Sequence, residues 1–180
     1  MSPEEWEAFV RTELVERWLE DYDAMTPWAA EVMEIPLGSL TYLFDGTPSM
    51  SGASSGDDRV VAVWGHSVAA QVPREKGRQA GFIPVPEKWS HIGMDRGHFV
   101  AHAAGGGMDM NFFPQAKGLN RGTTKRGKVW KAMERQIIEY PGTPLFVRPL
   151  YDDGTWVPTL IEYGVLSDAQ LWREQFENRD

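Results

Sequence analysis

The sequence predicts an α+β domain that combines an antiparallel sheet with an N-terminal helical extension. Apolar residues recur at helical spacing near the start of the chain, and several later segments have the composition of β-strands. These strands do not alternate regularly with helices, which favours an antiparallel sheet over a parallel one. We expect a single compact unit in which residues 1–40 form an acidic helical extension and residues 41–180 form the main domain.

Length and composition support one folded unit and exclude several kinds of site. The chain has 180 residues, of which 42% are hydrophobic and 12% aromatic, enough to bury a sizeable core. It contains no cysteine, which excludes disulfide frameworks, thiolate metal sites and cysteine nucleophiles. No apolar run reaches the length of a bilayer span, and no stretch resembles a secretory signal peptide. We therefore expect no membrane span and no signal peptide.

Charge is distributed along the chain in three blocks. The net charge is −8, but residues 1–58 carry −11, residues 59–148 carry +8 and residues 149–180 carry −5. A polyanion responds to the local potential rather than to the total charge, so the basic middle block is compatible with a nucleic-acid partner. The basic side chains from which we expect contacts to nucleic acid are Lys117, Arg121, Lys125, Arg126, Lys128 and Lys131.

The first forty residues predict two helices. Ser2 and Glu5 form a capping box around Pro3, and an apolar stripe follows at helical spacing. That stripe consists of Trp6, Phe9, Val10, Leu14, Trp18 and Leu19. A second, short helix is predicted to start at Thr26 and to end near Pro36 and Gly38, and the Gly- and Ser-rich stretch 46–58 predicts a mobile loop.

The rest of the chain predicts four strands and two helices. Strand composition marks Arg59–Trp64, His98–His102, Pro144–Leu150 and Val157–Val165, the last two joined by a turn at residues 152–154. A helix running to about Tyr140 is predicted from the spacing of its apolar residues, which are Val129, Trp130, Met133, Ile137 and Ile138. A capping box over Ser167–Gln170 predicts a closing helix.

The segment most informative about chemistry is residues 95–134. It reads as a strand, a glycine-rich turn, a second extended piece, an irregular loop and a helix. Such a ββα unit can bring a histidine on a strand opposite an asparagine on a helix. The chemistry that suits these residues is phosphodiester hydrolysis, because a histidine can deprotonate water near neutral pH. A hard Mg²⁺ ion held by one or two oxygen ligands and an arginine can neutralise the charge that develops on the phosphate.

Four short motifs follow one another in this segment. They read Asp95-Arg96-Gly97-His98, Asn111-Phe112-Phe113-Pro114-Gln115, Leu119-Asn120-Arg121-Gly122 and Trp130-Lys131-Ala132-Met133-Glu134. They resemble the motifs D-R-G-H, N-x-x-P-Q, L-N-x-G and W-x-x-[LM]-E, which occur in this order in the His-Me finger (ββα-metal) nucleases, specifically the DNA/RNA non-specific endonuclease group. The spacing, with Asp109 ahead of Asn111, looks most like the compact versions found in bacterial polymorphic toxins. The resemblance covers roughly a quarter of the chain strongly, with the ββα motif at about 95–140 inside a nuclease domain over 41–180.

The resemblance implies a role for each motif residue. It implies His98 as the general base, Asn120 as the protein ligand of one Mg²⁺ ion, with Mn²⁺ as a substitute, and Glu134 as the residue that positions the ion's waters. It implies a phosphate contact for Arg96, and motif support for Asn111 and Asp95. Products in this group carry 5′-phosphate and 3′-hydroxyl ends.

Two features depart from the group's pattern. The gap between Asn120 and Glu134 is longer than usual, by an insert over residues 123–127. An arginine that acts late in the reaction of some relatives has no clear match, and the candidates are Arg59, Arg74 and Arg78.

Several of these residues also suit structural or surface roles, which are the alternatives to catalysis and metal binding. His66 and His91 are predicted to be structural or surface residues, and His98 with His102 is a weak alternative zinc pair because the segment is strand-like. Asn120 also suits a turn before a glycine, and Glu134 also suits a helix surface. Most tryptophans are predicted to lie in the core, and Trp89 is the candidate for stacking on a base.

The sequence therefore favours an Mg²⁺-dependent endonuclease that acts on DNA, with RNA as a second substrate. Its setting is predicted to be an antibacterial toxin, neutralised by an acidic inhibitor protein and exported by a signal-independent route. The alternatives are a cytoplasmic defence nuclease and a catalytically silent module that binds nucleic acid or a partner. A further hypothesis is that the acidic N-terminal block docks a carrier or covers the basic groove as an internal inhibitor.

Overall fold

A six-stranded antiparallel sheet forms the centre of the computed structural model. The structure describes residues 1–48, 58–70, 94–108 and 110–179. In their order across the sheet, the strands are β1 (Val32–Leu37), β2 (Leu40–Asp45), β3 (Arg59–His66), β6 (Pro144–Leu150), β7 (Leu160–Ser167) and β8 (Gln170–Glu177). Between β3 and β6 the chain forms a separate two-stranded sheet of β4 (Met94–His98) and β5 (Phe112–Ala116). The helices are α1 (Pro3–Val10), α2 (Glu16–Met25), α3 (Lys117–Asn120) and α4 (Lys125–Glu139). The predicted α+β class with an antiparallel sheet and an N-terminal helix is confirmed.

The N-terminal helix begins as predicted, because Ser2 and Glu5 form a complete capping box. It runs from α1 through a π-helical turn at Arg11–Val15 into α2. The predicted apolar stripe faces the sheet, with Phe9 and Leu19 partly buried at its margins. Its fully buried members are Trp6, Val10, Leu14 and Trp18, joined by Tyr22.

The π turn explains how this stripe stays on one face. The buried residues recur every fourth position from Trp6 to Tyr22. In an ideal α-helix a four-residue repeat drifts by about 40° at each step, which would rotate the stripe away from the sheet. A π turn uses i→i+5 hydrogen bonds and so takes more residues per turn. Inserted in the middle of the helix, it corrects part of that drift.

The short helix predicted from Thr26 to Pro36 is wrong. That segment instead contains the edge strand β1, which pairs with β2 along its whole length. Gly38 has φ +64 and forms the two-residue hairpin turn with Ser39 between Leu37 and Leu40. Pro36 fits an edge strand, where one backbone N–H faces away from the ladder. The predicted boundary near residue 40 falls at this turn.

The helix predicted after Ser167 is also wrong, because residues 170–177 form the edge strand β8. Asp168 and Ala169 have φ 49 and φ 60, so they form a tight turn of the primed type that joins β7 to β8. Ser167 and Gln170 have the spacing of a capping box, but the segment after them pairs with β7 and forms a strand instead of a helix.

Three predicted strands and the predicted helix to Tyr140 are confirmed, with shifted ends, whereas the strand predicted over His98–His102 is wrong. β3, β6 and β7 match three predicted strands, although β7 begins three residues later than expected. The fourth predicted strand, His98–His102, is displaced: β4 ends at His98, and a 3₁₀ turn begins at His102. The predicted helix to Tyr140 is α4, whose Trp130, Met133 and Ile137 are buried. Most of the predicted loop at 46–58 lies outside the described residues.

Two layers cover opposite faces of the main sheet. The helix layer, residues 3–25, packs on the face that carries Val61, Trp64 and Phe146. The hairpin layer, consisting of β4, β5, α3 and α4, packs on the face that carries Val63 and Tyr163. The acidic helices therefore do not lie over the basic α4, which contradicts the hypothesis that they cover it as an internal inhibitor.

None of the described helices is long and apolar enough to cross a membrane.

Candidate active site

The β4–β5 hairpin sorts the first motif onto two faces. In the antiparallel register Asp95 lies opposite Gln115, and His98 lies opposite Phe112. Because side chains alternate along a strand, Asp95 shares one face with Gly97, and Arg96 shares the other with His98. The motif therefore presents a carboxylate on one face of a five-residue strand, and a guanidinium and an imidazole on the other.

Gly97 is required by close packing within the hairpin. A Cβ atom at this position would lie 2.5 Å from both Cβ and Oε1 of Gln115. The Gln115 side chain thus crosses directly over the glycine, on the face that also carries Asp95. Gln115 is 1% exposed, and neither polar atom of its amide has a hydrogen-bond partner within the part of the chain that the structure describes.

Asp95 joins β4 to the end of α3. It accepts a hydrogen bond of 3.2 Å from Nδ2 of Asn120. It also accepts two from Arg121, of 2.6 Å from Nε and 2.7 Å from the second guanidinium nitrogen. The Arg121 hydrogen bonds, helped by the one from Asn120, hold the pKa of Asp95 below its usual value. The first and third motifs are therefore in direct contact through a carboxylate that stays ionised.

His98 ends β4 and is half-buried against Phe112, with ring centroids 4.7 Å apart. Arg96 lies two residues before it and is also half-buried. The Nε atom of Arg96 is buried and meets no hydrogen-bond acceptor among the described residues. A buried guanidinium nitrogen without an acceptor is costly, and an anionic ligand can satisfy it.

Asn111 ties together the two arms of the loop between β4 and β5. Its side chain exchanges two hydrogen bonds with the backbone of Val100, accepting one of 3.0 Å and donating one of 2.8 Å. It also donates to the carbonyl of Gly107 and accepts a bond from the hydroxyl of Tyr42. The glycine-rich loop after His98 is thereby fixed both to β5 and to the main sheet.

Glu134 lies on α4 with its side chain 14% exposed and pairs with Lys131 at 2.5 Å. The Lys131 side chain passes beside Gly122, since a Cβ atom on that glycine would lie 2.9 Å from Cγ of Lys131. Burial and the nearby Glu134 carboxylate raise the pKa of Tyr163 well above its usual value. Glu134 is therefore placed between the sheet and the loop that follows Asn120, and among the described residues its carboxylate pairs with Lys131.

The insert over residues 123–127 builds the start of α4. Thr124 caps this helix by accepting a hydrogen bond of 3.0 Å from the backbone of Gly127. Arg126 donates to Glu174 and to the carbonyl of Gln175, and it lies over the ring of Phe176 at 4.6 Å. The lengthened gap thus docks α4 onto the edge strand β8.

The predicted nucleic-acid contacts therefore have different local partners. Arg121, Arg126 and Lys131 pair with acidic residues of this chain. Lys125 and Lys128 are exposed on α4, and Lys117 lies near Asp95 at the start of α3.

Arg59 does not suit the role of a late-acting arginine, because its side chain is buried. It is 3% exposed and donates to the Tyr22 hydroxyl and to the carbonyls of Asp153 and Thr155. Three aromatic rings surround the guanidinium, at 4.4 to 5.1 Å. This cluster joins the helix layer to the loop after β6. The other two candidates, Arg74 and Arg78, lie outside the described residues, as do His91, Trp89 and Asp109.

Sequence reasoning missed Asn178, which positions β5. This asparagine is 3% exposed; it accepts a hydrogen bond from the backbone of Ala116 and donates to the carbonyls of Pro114 and Pro158. It thereby joins the hairpin layer to the C-terminal end of the main sheet. No local pattern could reveal this, because its partners on β5 lie more than sixty positions earlier.

The alternative zinc pair gains no third ligand. Within the described ranges, no group of three or more His, Cys, Asp or Glu side chains is placed to hold a metal ion. His102 opens the 3₁₀ turn and its Nδ1 lies 3.2 Å from the carbonyl of Gly106. A site that uses one amide oxygen and several waters does not need such a group.

A scan of the chain against models of protein families finds no match, and a search of curated proteins finds no relative. The functional conclusion therefore depends on the residues and contacts of the chain itself.

Proposed function

We propose that this chain is a metal-dependent, non-specific endonuclease of the His-Me finger type, which hydrolyses the phosphodiester bonds of DNA and of RNA. The observation that carries the proposal is the hydrogen bond between Asp95 and Asn120. Asp95 lies on the same short strand as His98, three residues before it. Three residues of a strand span about 10 Å. Asp95 and His98 leave β4 on opposite faces, and His98 is the last residue of the strand. The proposal therefore requires the His98 imidazole and an ion beside Asn120 to reach one phosphodiester group from the end of β4.

The residues around Asn120 fit a hard divalent cation. An amide oxygen from Asn120, with the carboxylate of Asp95 adjacent, is the kind of oxygen donor that Mg²⁺ uses when it keeps most of its waters. Asn120 would hold the ion, and Glu134 would hold its waters once released from Lys131. When bound, the ion supplies positive charge to the phosphoryl and leaving oxygens.

The protein's own groups supply the rest of the chemistry. His98 takes a proton from the attacking water, in the role that suits an imidazole near neutral pH. Arg96 donates to a phosphate oxygen through a guanidinium whose buried Nε has no partner within the described part of the chain. Attack on phosphorus with departure of the 3′-oxygen leaves 5′-phosphate and 3′-hydroxyl ends. Arg96, Lys125 and Lys128 are cations that suit phosphate oxygens, which every nucleotide carries, and this supports low sequence preference.

The proposed setting is an antibacterial toxin with an acidic inhibitor as partner. Lys125 and Lys128 are exposed on the hairpin layer, whereas the acidic helices lie on the other face of the sheet. An inhibitor that covers the site would therefore meet cations rather than the helix layer.

The experiment is incubation of purified protein with supercoiled plasmid DNA and with total RNA, in Mg²⁺, Mn²⁺ or EDTA. We expect degradation in either metal, none in EDTA, and products that a ligase can rejoin because they carry 5′-phosphates. Asn120→Ala should lower the rate and raise the Mg²⁺ concentration needed for half-maximal activity. A folded protein that binds DNA but cleaves no substrate in any of these metals would favour the binding module instead.

A further inference from the structure

Arg121 differs from the other cations of the hairpin layer because its guanidinium binds both oxygens of one carboxylate. Its side chain is 58% exposed, yet its guanidinium is committed to Asp95 through two hydrogen bonds of 2.6 and 2.7 Å. This two-pronged geometry needs the planar fork of arginine, which lysine lacks. The carboxylate it grips is only 18% exposed, so the pair lies at the margin of the site rather than in open solvent.

The same carboxylate also determines which way the Asn120 amide points. Oδ2 of Asp95 accepts from Nδ2 of Asn120 at 3.2 Å and from Nε of Arg121 at 2.6 Å. An amide has one donating and one accepting end, so fixing the nitrogen on Asp95 turns the oxygen away from that carboxylate. The oxygen is the end that can hold a cation.

Asp95 therefore needs a fixed position in order to orient Asn120. It lies on β4, whereas Asn120 and Arg121 lie at the end of α3, so the contact spans two elements. A carboxylate held by one 3.2 Å hydrogen bond alone has other rotamers available. The fork from Arg121 removes them, because both oxygens are then engaged.

We propose that Arg121 is a positioning residue for metal binding: it holds Asp95, which in turn holds the Asn120 amide with its oxygen presented to the ion. This inference rests on the proposed function, because it assigns Arg121 a task within the same site. It differs from the expectation that Arg121 contacts nucleic acid directly.

The test compares Arg121→Gln and Arg121→Lys with Lys128→Gln, a substitution of an exposed cation on α4. Each variant is titrated with Mn²⁺ by electron paramagnetic resonance without nucleic acid, and its DNA affinity is measured over a range of salt concentrations. We expect Arg121→Gln to weaken Mn²⁺ binding by about tenfold or more, as loss of groups that orient a ligand commonly does. Arg121→Lys should not restore it, because an ammonium group cannot form the fork.

Lys128→Gln should behave in the opposite way. We expect its Mn²⁺ affinity to stay at the wild-type value, while its DNA affinity falls and the salt dependence decreases by about one counterion. If Arg121→Gln instead matches Lys128→Gln in both measurements, Arg121 is a phosphate contact and the inference is overturned.

A second variant keeps the inference testable if Arg121→Gln folds poorly. Asp95→Asn keeps the size of the side chain but loses the charge that the fork grips. We expect it to weaken Mn²⁺ binding as much as Arg121→Gln does, and the double variant to be no weaker than either alone. Additive losses would contradict a shared task. Wild-type protein that binds no Mn²⁺ and cleaves nothing overturns the proposed function as well, whereas normal wild-type binding with unaffected variants overturns only this inference.

Discussion

The helix layer and the hairpin layer pack on the same sheet but satisfy their polar groups differently. In the helix layer Arg11 pairs with Glu7 and Glu34, and the buried atoms without a partner among the described residues are the indole nitrogens of Trp6 and Trp18. In the hairpin layer, the buried atoms without a partner among the described residues include a guanidinium nitrogen of Arg96 and both polar atoms of the Gln115 amide.

This difference separates a stabilising layer from one suited to chemistry. Buried polar groups are nearly always hydrogen-bonded, and the exceptions call for an explanation such as a ligand, a water or a catalytic role. Buried indole nitrogens without a partner among the described residues occur in both layers, since Trp130 on α4 has one too, so the difference lies in the guanidinium and the amide. Substitutions in the helix layer should therefore change stability alone, whereas the substitutions that change activity should lie in the hairpin layer.

The largest expected effect on stability is in the helix layer. Trp18 is fully buried between Trp64 and Phe146, with ring centroids at 6.4 and 5.2 Å. Trp18→Ala should lower the free energy of unfolding by about 3–5 kcal/mol, because it leaves a large cavity. Chemical denaturation measures this loss. Cleavage per folded molecule should stay at the wild-type rate, and a loss of activity in the folded fraction would break the division between the layers.

The hairpin layer should respond to a single added methyl group. Gly97→Ala should cost about 1–3 kcal/mol, because the new Cβ collides with the side chain of Gln115 at 2.5 Å. Gly107→Ala is the matched control, since no atom of the described residues lies within 4 Å of a Cβ at that position. Thermal unfolding of both variants and of the double variant Gly97→Ala/Gln115→Ala provides the measurement. Equal stability of the two single variants would show that Gln115 does not cross over Gly97.

Arg126 tests whether a cation of the hairpin layer stabilises the fold or contacts nucleic acid. Its contacts with Glu174, Gln175 and Phe176 predict that Arg126→Gln destabilises the fold by about 1 kcal/mol. The salt dependence of DNA binding should stay at the wild-type slope. A slope reduced as in Lys128→Gln would instead identify Arg126 as a contact to the phosphate backbone.

The smallest effect concerns pH and His66, at the end of β3 near α1. Burial lowers the pKa of this imidazole below its usual value, against the opposing influence of Glu7 and Glu4. The unfolded chain then takes up the proton more readily, so stability is lost as the pH falls through about 6.5. His66→Gln should show a shallower decline in unfolding free energy between neutral and mildly acidic pH. An unchanged pH profile would contradict this.

Periodicity predicted the long elements because their own apolar residues specify them. The helix at residues 3–25 and α4 each bury one face, and that face is legible in the sequence. The short segments 32–37 and 170–177 were predicted wrongly, since six to eight residues admit either structure and the pairing partner decides.

The candidate site was predictable in its residues but not in its contacts. Motif order named Asp95, Asn111 and Asn120, whereas the partners of Arg121 and Arg126 lie 26 and 48 positions away. A sequence shows that these cations are clustered. It does not show that each already has a carboxylate, because that depends on how α3 and α4 meet β4 and β8.

The most direct test of the central claim replaces His98 of the hairpin layer and His66 of the main sheet, each by alanine. His98→Ala and His66→Ala are compared with wild-type protein for plasmid cleavage at saturating Mg²⁺, with circular dichroism to verify folding. We predict that His98→Ala lowers the rate by about a hundredfold or more, as loss of a general base does, while His66→Ala stays within about twofold. Equal rates for the three folded proteins would contradict an active site at the end of β4.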